Sequence, residues 1–140
     1  MKAGELEELI RSGYQLIENI QEAFHKSLTI KYSYWDIFCR KKINTEEEEL
    51  SKLISQYTHY VKNNSEMQPE LTKGSLNDRQ YNQPSLIVIQ SQKETVMFLT
   101  KSLVDSISSH RDQLNSYSGQ FIAFTALIVA IVSLVLSLTV

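Results

Sequence analysis

The sequence has 140 residues, of which 42% are hydrophobic and 21% are charged, and its formal net charge at pH 7 is −2. This length allows one modest domain or an elongated helical assembly, and the near-neutral charge argues against nucleic acid as a partner. Four glycines and two prolines are few chain breakers, which favours long helices over a many-turned β fold. The single cysteine, Cys39, cannot form an internal disulfide and suits a reducing compartment.

Residues 1–61 are predicted to form a cytosolic helical hairpin. A stripe of apolar residues at three- and four-residue spacing, from Leu6 to Leu28, predicts a first helix that runs to about residue 42. The stretch TIKYSYWDIF within it is rich in β-forming residues, but no partner strand with turn chemistry lies beside it. Thr45 and Glu48 have the spacing of a capping box, so the second helix is predicted to begin at about residue 45.

Residues 62–85 are polar and contain both prolines and one glycine, which predicts a linker that serves as a functional loop or a tether. Residues 86–118 again carry apolar side chains at helical spacing and are predicted to form an amphipathic juxtamembrane helix. Only Gly119 separates this helix from the apolar segment that follows. One helix, continuous or nearly so, is therefore predicted from about Ser85 onward.

Residues 119–140 are predicted to form a C-terminal transmembrane helix. The 21 residues from Gln120 to Val140 carry no charge, and at about 1.5 Å per residue they cover the roughly 30 Å hydrocarbon layer of a bilayer. A fully buried core helix is the alternative interpretation. The N-terminal residues are acidic and amphipathic, unlike a signal peptide. Together with Lys101, Arg111 and Cys39, these features predict a tail-anchored, single-pass membrane protein with a cytoplasmic N-terminus.

Small residues in the apolar segment alternate at spacings of four and three, which is typical of a face where membrane helices associate closely. We call this set the small-residue seam: Gly119, Ala123, Ala126, Ala130, Ser133 and Ser137. The same spacing continues towards the N-terminus through a polar seam: Ser102, Asp105, Ser109, Asp112 and Ser116. Two interpretations stay open. Either these residues are a solvated face with incidental alanines, or they form a self-association surface or the wall of a pore.

An aromatic cluster in the soluble part is a candidate patch for a cytosolic protein partner, because Tyr and Trp are favoured at interfaces. It consists of Tyr32, Tyr34, Trp35 and Phe38. The alternative is that Trp35 and Phe38 anchor the core of the hairpin, and both interpretations could hold on opposite sides of the helix.

Residues that could support catalysis or hold a metal are sparse. The histidines His25, His59 and His110 lie on different predicted helices, and Glu22 with His25 supplies only half of a di-iron carboxylate pattern. Cys39 lacks a histidine partner nearby. The sequence therefore predicts no enzyme, no metal site and no cofactor.

The sequence as a whole predicts an all-α protein: an amphipathic helical hairpin and a long C-terminal helix that continues into a single transmembrane span. We expect a homo-oligomer in the lipid bilayer that acts as a protein-interaction module, with helices packed in the manner of a coiled coil. The alternative function is an oligomeric pore-forming or membrane-disrupting effector, in which the same seam lines a conduit.

Overall fold

The computed structural model describes residues 3–72 and 76–139, and these residues form three long helices with no strand among them. Helix α1 spans Ala3–Thr29, α2 spans Lys41–Thr72 and α3 spans Leu76–Thr139, with a 3₁₀ turn at Tyr34–Ile37 between α1 and α2. The predicted all-α fold with a long C-terminal helix is confirmed. Residues 1–2, 73–75 and 140, which belong to the predicted hairpin, linker and span, lie outside the described residues.

The three helices form a bundle in which α1 and α3 run parallel and α2 runs antiparallel to both. Residues further along α1 contact residues further along α3. The Gln92 amide donates to the Ile10 carbonyl at 2.9 Å, and the Ser27 and Ser106 hydroxyls lie 2.7 Å apart. Helix α2 returns alongside them, because Tyr60 contacts Gln92 whereas the earlier residue Glu46 contacts the later residue His110. The remainder of α3 extends beyond the bundle.

Buried and half-buried residues on α1 and α2 follow a heptad spacing, which is typical of coiled-coil packing. On α1 these residues are Leu6, Leu9, Gly13, Leu16, Ile20, Ala23 and Ser27, with Ile30 continuing the spacing just after the helix; on α2 they are Ile43, Glu46, Leu50, Leu53, Tyr57, Tyr60, Asn64 and Met67. On α3 the core residues Leu99, Leu103 and Ile107 follow each other at two successive steps of four. Such a step locally unwinds the supercoil, so the α3 stripe shifts relative to its partners there.

The connection between α1 and α2 differs from the sequence prediction. Helix α1 ends at Thr29 rather than near residue 42, and the chain reverses over residues 30–40. β-branched and aromatic residues from Thr29 onward favour helix weakly, and the Asp36 carboxylate offers the backbone another partner. The Ser33 backbone N–H and hydroxyl both donate to Asp36 Oδ2, at 2.7 and 2.9 Å. The reversal thus replaces the last part of the predicted first helix.

Helix α2 begins at Lys41, four residues before the predicted cap. Thr45 lies inside the helix, where its hydroxyl donates to the Lys41 carbonyl at 2.9 Å, so the capping-box prediction is wrong. At the other end, α2 continues to Thr72 with Pro69 inside it, and α3 includes Pro84. The described residues of the predicted linker, residues 62–85, are therefore helical. The buried Asn64 and half-buried Met67 continue the α2 core stripe into this segment.

Candidate functional site

The apolar part of α3 leaves the bundle at a junction formed by the connector, residues 30–40, and α3 around Tyr117–Phe121. Beyond the junction, residues 121–137 are all exposed. Among the described residues, this is the one helix long and apolar enough to cross a membrane, and none of its most apolar stretch is buried. The structure therefore does not support the alternative of a buried core helix. Residues 121–139 are about 28 Å long at about 1.5 Å per residue, which matches a hydrocarbon layer of roughly 30 Å.

All six members of the small-residue seam are exposed on this helix: Gly119, Ala123, Ala126, Ala130, Ser133 and Ser137. A Cβ added at Gly119 would meet nothing within 4 Å. The Ser137 hydroxyl donates to the Leu134 carbonyl at 2.7 Å, and the Thr125 hydroxyl donates to the Phe121 carbonyl at 2.9 Å. These two hydroxyls are thus satisfied within their own helix. Self-association through the seam stays a prediction.

The polar seam lies on the face of α3 that α1 and α2 leave uncovered. Asp105, Ser109, Asp112 and Ser116 are exposed and Ser102 is half-buried, while Leu103, Ile107 and Leu114 fill the core. One turn before Ser102 lies Phe98, whose side chain is 69% exposed. The uncovered face of α3 therefore contains a large apolar side chain, then carboxylates and hydroxyls, and then the small residues of the span.

The structure divides the aromatic cluster into an inward and an outward part. Tyr32 is half-buried and donates to Glu46 Oε2 at 2.5 Å. Trp35 and Phe38 are exposed, so the interpretation in which they anchor the hairpin core is wrong. They form an outward pair, with ring centroids 6.2 Å apart.

The connector is attached to α3 where the apolar segment begins. The Phe38 ring meets the Phe121 ring edge-on, with centroids 5.1 Å apart. Tyr34 stacks on Tyr117 at 4.4 Å, and its hydroxyl donates to Gln120 Oε1 at 2.8 Å. These contacts place Tyr34 and Phe38 at the start of the candidate span, whereas Tyr32 lies further back in the bundle, with its ring 5.0 Å from that of His110.

A buried polar group lies just inside the junction. Glu46 Oε2 accepts the Tyr32 hydroxyl and lies 3.0 Å from His110 Nδ1, and the Glu46 side chain is 5% exposed. Burial, together with the hydrogen bond to Glu46, raises the pKa of Tyr32 above its ordinary value. Sequence reasoning missed this group because it treated core positions as apolar. The detectable signal was a glutamate and a histidine at core positions of two helices.

Basic side chains surround the connector. Lys42 Nζ lies 3.0 Å from Asp36 Oδ2 and donates to the Lys31 carbonyl, and Arg40 donates to Asn115 Oδ1 at 2.9 Å. The Ser33 backbone N–H, followed by Lys42, holds the pKa of Asp36 below its ordinary value. Lys31 and Lys41 are exposed and form no ion pair among the described residues.

The histidines and acidic residues considered at the sequence level do not come together as a metal site. Glu22 and His25 are both exposed on α1. His59 contacts Asn63 on its own helix, whereas His110 contacts Glu46 nearer the candidate span. Across the described part of the chain, no group of three or more His, Cys, Asp or Glu residues could hold a metal ion. Cys39 is exposed with a free thiol.

Comparison of the chain with protein-family models, with curated proteins and with solved structures returned no match. No likeness of fold or sequence therefore supplies a function for the chain.

Proposed function

We propose that this protein is a single-pass membrane protein that self-associates through α3 and presents its three-helix bundle to a partner in the cytoplasm. One observation carries the proposal: the span of α3 has no helix packed on any face among the described residues, and its small-residue seam continues the face that α1 and α2 leave uncovered in the bundle. Inside the bundle α3 has its partners, whereas in the span it has none. A second copy supplies the missing partner.

The chemistry of the seam favours close helix packing. Between helices in lipid there is no hydrophobic gain, so association depends on van der Waals contact where small side chains let backbones approach. The alternating spacing of four and three residues suits left-handed packing at a shallow crossing angle. Phe98 extends the same uncovered face into the soluble part, where burying an exposed aromatic ring against a second copy is favourable.

The distribution of charge favours a cytoplasmic bundle. Four basic residues lie near the junction: Lys31, Arg40, Lys41 and Lys42. Arg111 precedes Phe121 by ten residues on α3 and pairs with Glu47. Basic residues close to a span are enriched on the cytoplasmic side of membranes. The exposed thiol of Cys39 also suits a reducing compartment.

Substitution of Ala126 and Ala130 by leucine tests the self-association. The double variant Ala126→Leu with Ala130→Leu should weaken crosslinking of the full chain in detergent or bilayers by about tenfold, equivalent to about 1.4 kcal/mol, because larger side chains separate the backbones. Ile128→Leu, on another face of the same segment, is the matched control and should leave crosslinking unchanged. If the double variant crosslinks as the parent does, the seam is incidental.

An oligomeric pore is the second candidate, and the observation that favours it is the exposure of Asp105 and Asp112 on the seam face. Two such carboxylates about 6 Å apart repel by roughly 3 kcal/mol at an effective dielectric of 20, so a ring of them needs water, cations or splayed helices. Cation-selective currents from reconstituted protein that lose selectivity in Asp105→Asn and Asp112→Asn would establish the pore. Absence of current, with stronger association in these variants, supports the anchor.

A further inference from the structure

The position of the connector along the axis of α3 is fixed by contacts at the start of the candidate span. Phe38 packs edge-on against Phe121, the first residue of the exposed apolar segment, and Tyr34 bonds to Gln120 beside it. If the span crosses a bilayer, as proposed above, these contacts place the connector at the bilayer surface. The inference below rests on that proposed function.

Among the basic side chains of this region, Arg40 is the one whose position along α3 is fixed by a contact, and it lies further from the span than the Phe38 ring. Arg40 bonds to Asn115, which precedes Phe121 by six residues, or about 9 Å along the helix axis. The polar layer on each side of a bilayer is roughly 5–8 Å deep, given a total thickness of about 40–45 Å around a core of about 30 Å. Phe38 therefore lies at the hydrocarbon boundary and Arg40 at the outer edge of the headgroups.

Trp35 and Phe38 form an apolar pair that the chain does not cover. Trp35 is 80% exposed and Phe38 is 63% exposed, in a turn whose backbone is held by Ser33 and Asp36. Trp and Tyr are enriched at bilayer interfaces because their rings combine an apolar body with a polar edge. The exposed pair thus has the chemistry and the position of an interfacial anchor.

The charge of the connector and of the first two residues of α2 complements an anionic lipid surface. Residues 31–42 contain four basic residues and one acidic residue: Lys31, Arg40, Lys41, Lys42 and Asp36. Asp36 is already paired with Lys42, while Lys31 and Lys41 are exposed and form no ion pair within the described chain. Each basic side chain near an anionic bilayer strengthens binding about fivefold.

We propose that the connector and the start of α2 form a second membrane-contact element, in which Trp35 and Phe38 lie in the interfacial layer of an anionic leaflet and Lys31 and Lys41 bind its headgroups. The connector thereby fixes the base of the bundle against the bilayer, and α3 is not the sole point of attachment.

The fluorescence of Trp35 tests the position of the connector, because it is the single tryptophan of the chain. The full chain is reconstituted in vesicles of phosphatidylcholine with 30% phosphatidylserine. We expect Trp35 to be quenched by lipids that carry a quencher near the headgroup and to be protected from aqueous acrylamide. Phe38→Ser should reduce the quenching by lipid at least twofold, whereas Tyr14→Ser, at an exposed aromatic position near the middle of α1 and remote from the span, should not.

The contribution of charge is tested in the same vesicles. Removing phosphatidylserine, or combining Lys31→Gln with Lys41→Gln, should reduce lipid quenching of Trp35 and raise its accessibility to acrylamide. The matched control combines Arg11→Gln with Lys62→Gln, two exposed basic positions at the end of the bundle remote from the span. This control should behave as the parent chain does.

Resistance to alkaline extraction separates the two proposals. Suppose that the chain resists extraction but Trp35 is quenched by acrylamide and not by lipid. The connector proposal is then overturned, and Trp35 and Phe38 are available to a protein partner, while the proposed transmembrane span is retained. A chain that is extracted by alkali overturns the proposed function, and with it the basis of this inference. Lipid quenching that does not depend on anionic lipid or on the two lysines overturns the headgroup contact.

Discussion

Gly13 lies where side chains or backbone of all three helices meet in a polar contact. The Gln92 amide donates to the Ile10 carbonyl at 2.9 Å, and its oxygen accepts the Tyr60 hydroxyl at 3.2 Å. A Cβ on Gly13 would lie 2.5 Å from Gln92 Oε1 and 3.0 Å from the Tyr60 oxygen. A glycine inside a helix normally costs stability, so its presence here is explained by the space that the buried amide occupies.

The variant Gly13→Ala should therefore destabilise the bundle even though alanine favours helix by about 1 kcal/mol. The added methyl group displaces the Gln92 amide and breaks its buried hydrogen bonds, and we expect a net loss of about 1–3 kcal/mol. Urea unfolding in mild detergent, followed by circular dichroism, measures the change. Gly4→Ala on the same helix is the control, since nothing lies within 4 Å of its added Cβ. Equal stability of the two variants would contradict the packing argument.

The helices differ in how well the sequence predicted them, and the differences have physical causes. The α3 stripe Val96, Leu99, Leu103, Ile107 and Leu114 is buried or half-buried as predicted, because apolar residues repeat there at helical spacing with a single polar core position, His110, among them. The end of α1 could not be placed by periodicity, since apolar residues continue through the connector although the chain reverses. Leu28, the last residue of the stripe predicted for the first helix, is exposed.

Polar core positions explain most of what sequence reasoning missed. Glu46, Asn64 and Gln92 are buried at heptad positions, where a search for apolar residues passes over them. Their effect is visible only when partner helices are in place: Glu46 meets Tyr32 and His110, and Gln92 meets Tyr60. The aromatic cluster was identified from the sequence, but its position beside Phe121 depends on the chain reversal, which the sequence prediction omitted.

The connector should open in acid because its turn depends on the Asp36 carboxylate. Hydrogen bonds from the Ser33 backbone, and then the contact with Lys42, place the pKa of Asp36 below its ordinary value of 3.8. Because the pKa is lower in the folded state, the ionised Asp36 carboxylate stabilises the turn at pH values above its ordinary pKa. This stabilisation is lost as the pH falls through the folded-state pKa. Trp35 fluorescence between pH 5 and pH 2 should report this opening.

Asp36→Asn should remove that acid transition, and Asp105→Asn, which changes an exposed carboxylate outside the connector, should retain it. A transition that persists unchanged in Asp36→Asn would assign the acid response to another group.

At the scale of the whole molecule, one continuous helix belongs both to the bundle and to the candidate span. Its orientation in the membrane can be measured at Ser55, an exposed position on α2. In a Cys39→Ser background, we expect Ser55→Cys to react with a membrane-impermeant maleimide only after intact cells are permeabilised, because basic residues at the junction favour a cytoplasmic bundle. Labelling of intact cells would reverse the proposed orientation.

The length of α3 also determines the distance between the candidate span and the end of the bundle remote from it. A groove between α1 and α2, lined by residues that include Ser12, Gln15 and Tyr60, lies level with Gln92. Gln92 precedes Phe121 by 29 residues, or about 44 Å along a straight helix. Surface charge of the membrane is screened within about 8 Å at physiological ionic strength. A ligand of this groove would therefore meet the protein in bulk electrolyte, beyond the electrostatic reach of the anionic lipid that we propose as the partner of the base of the bundle.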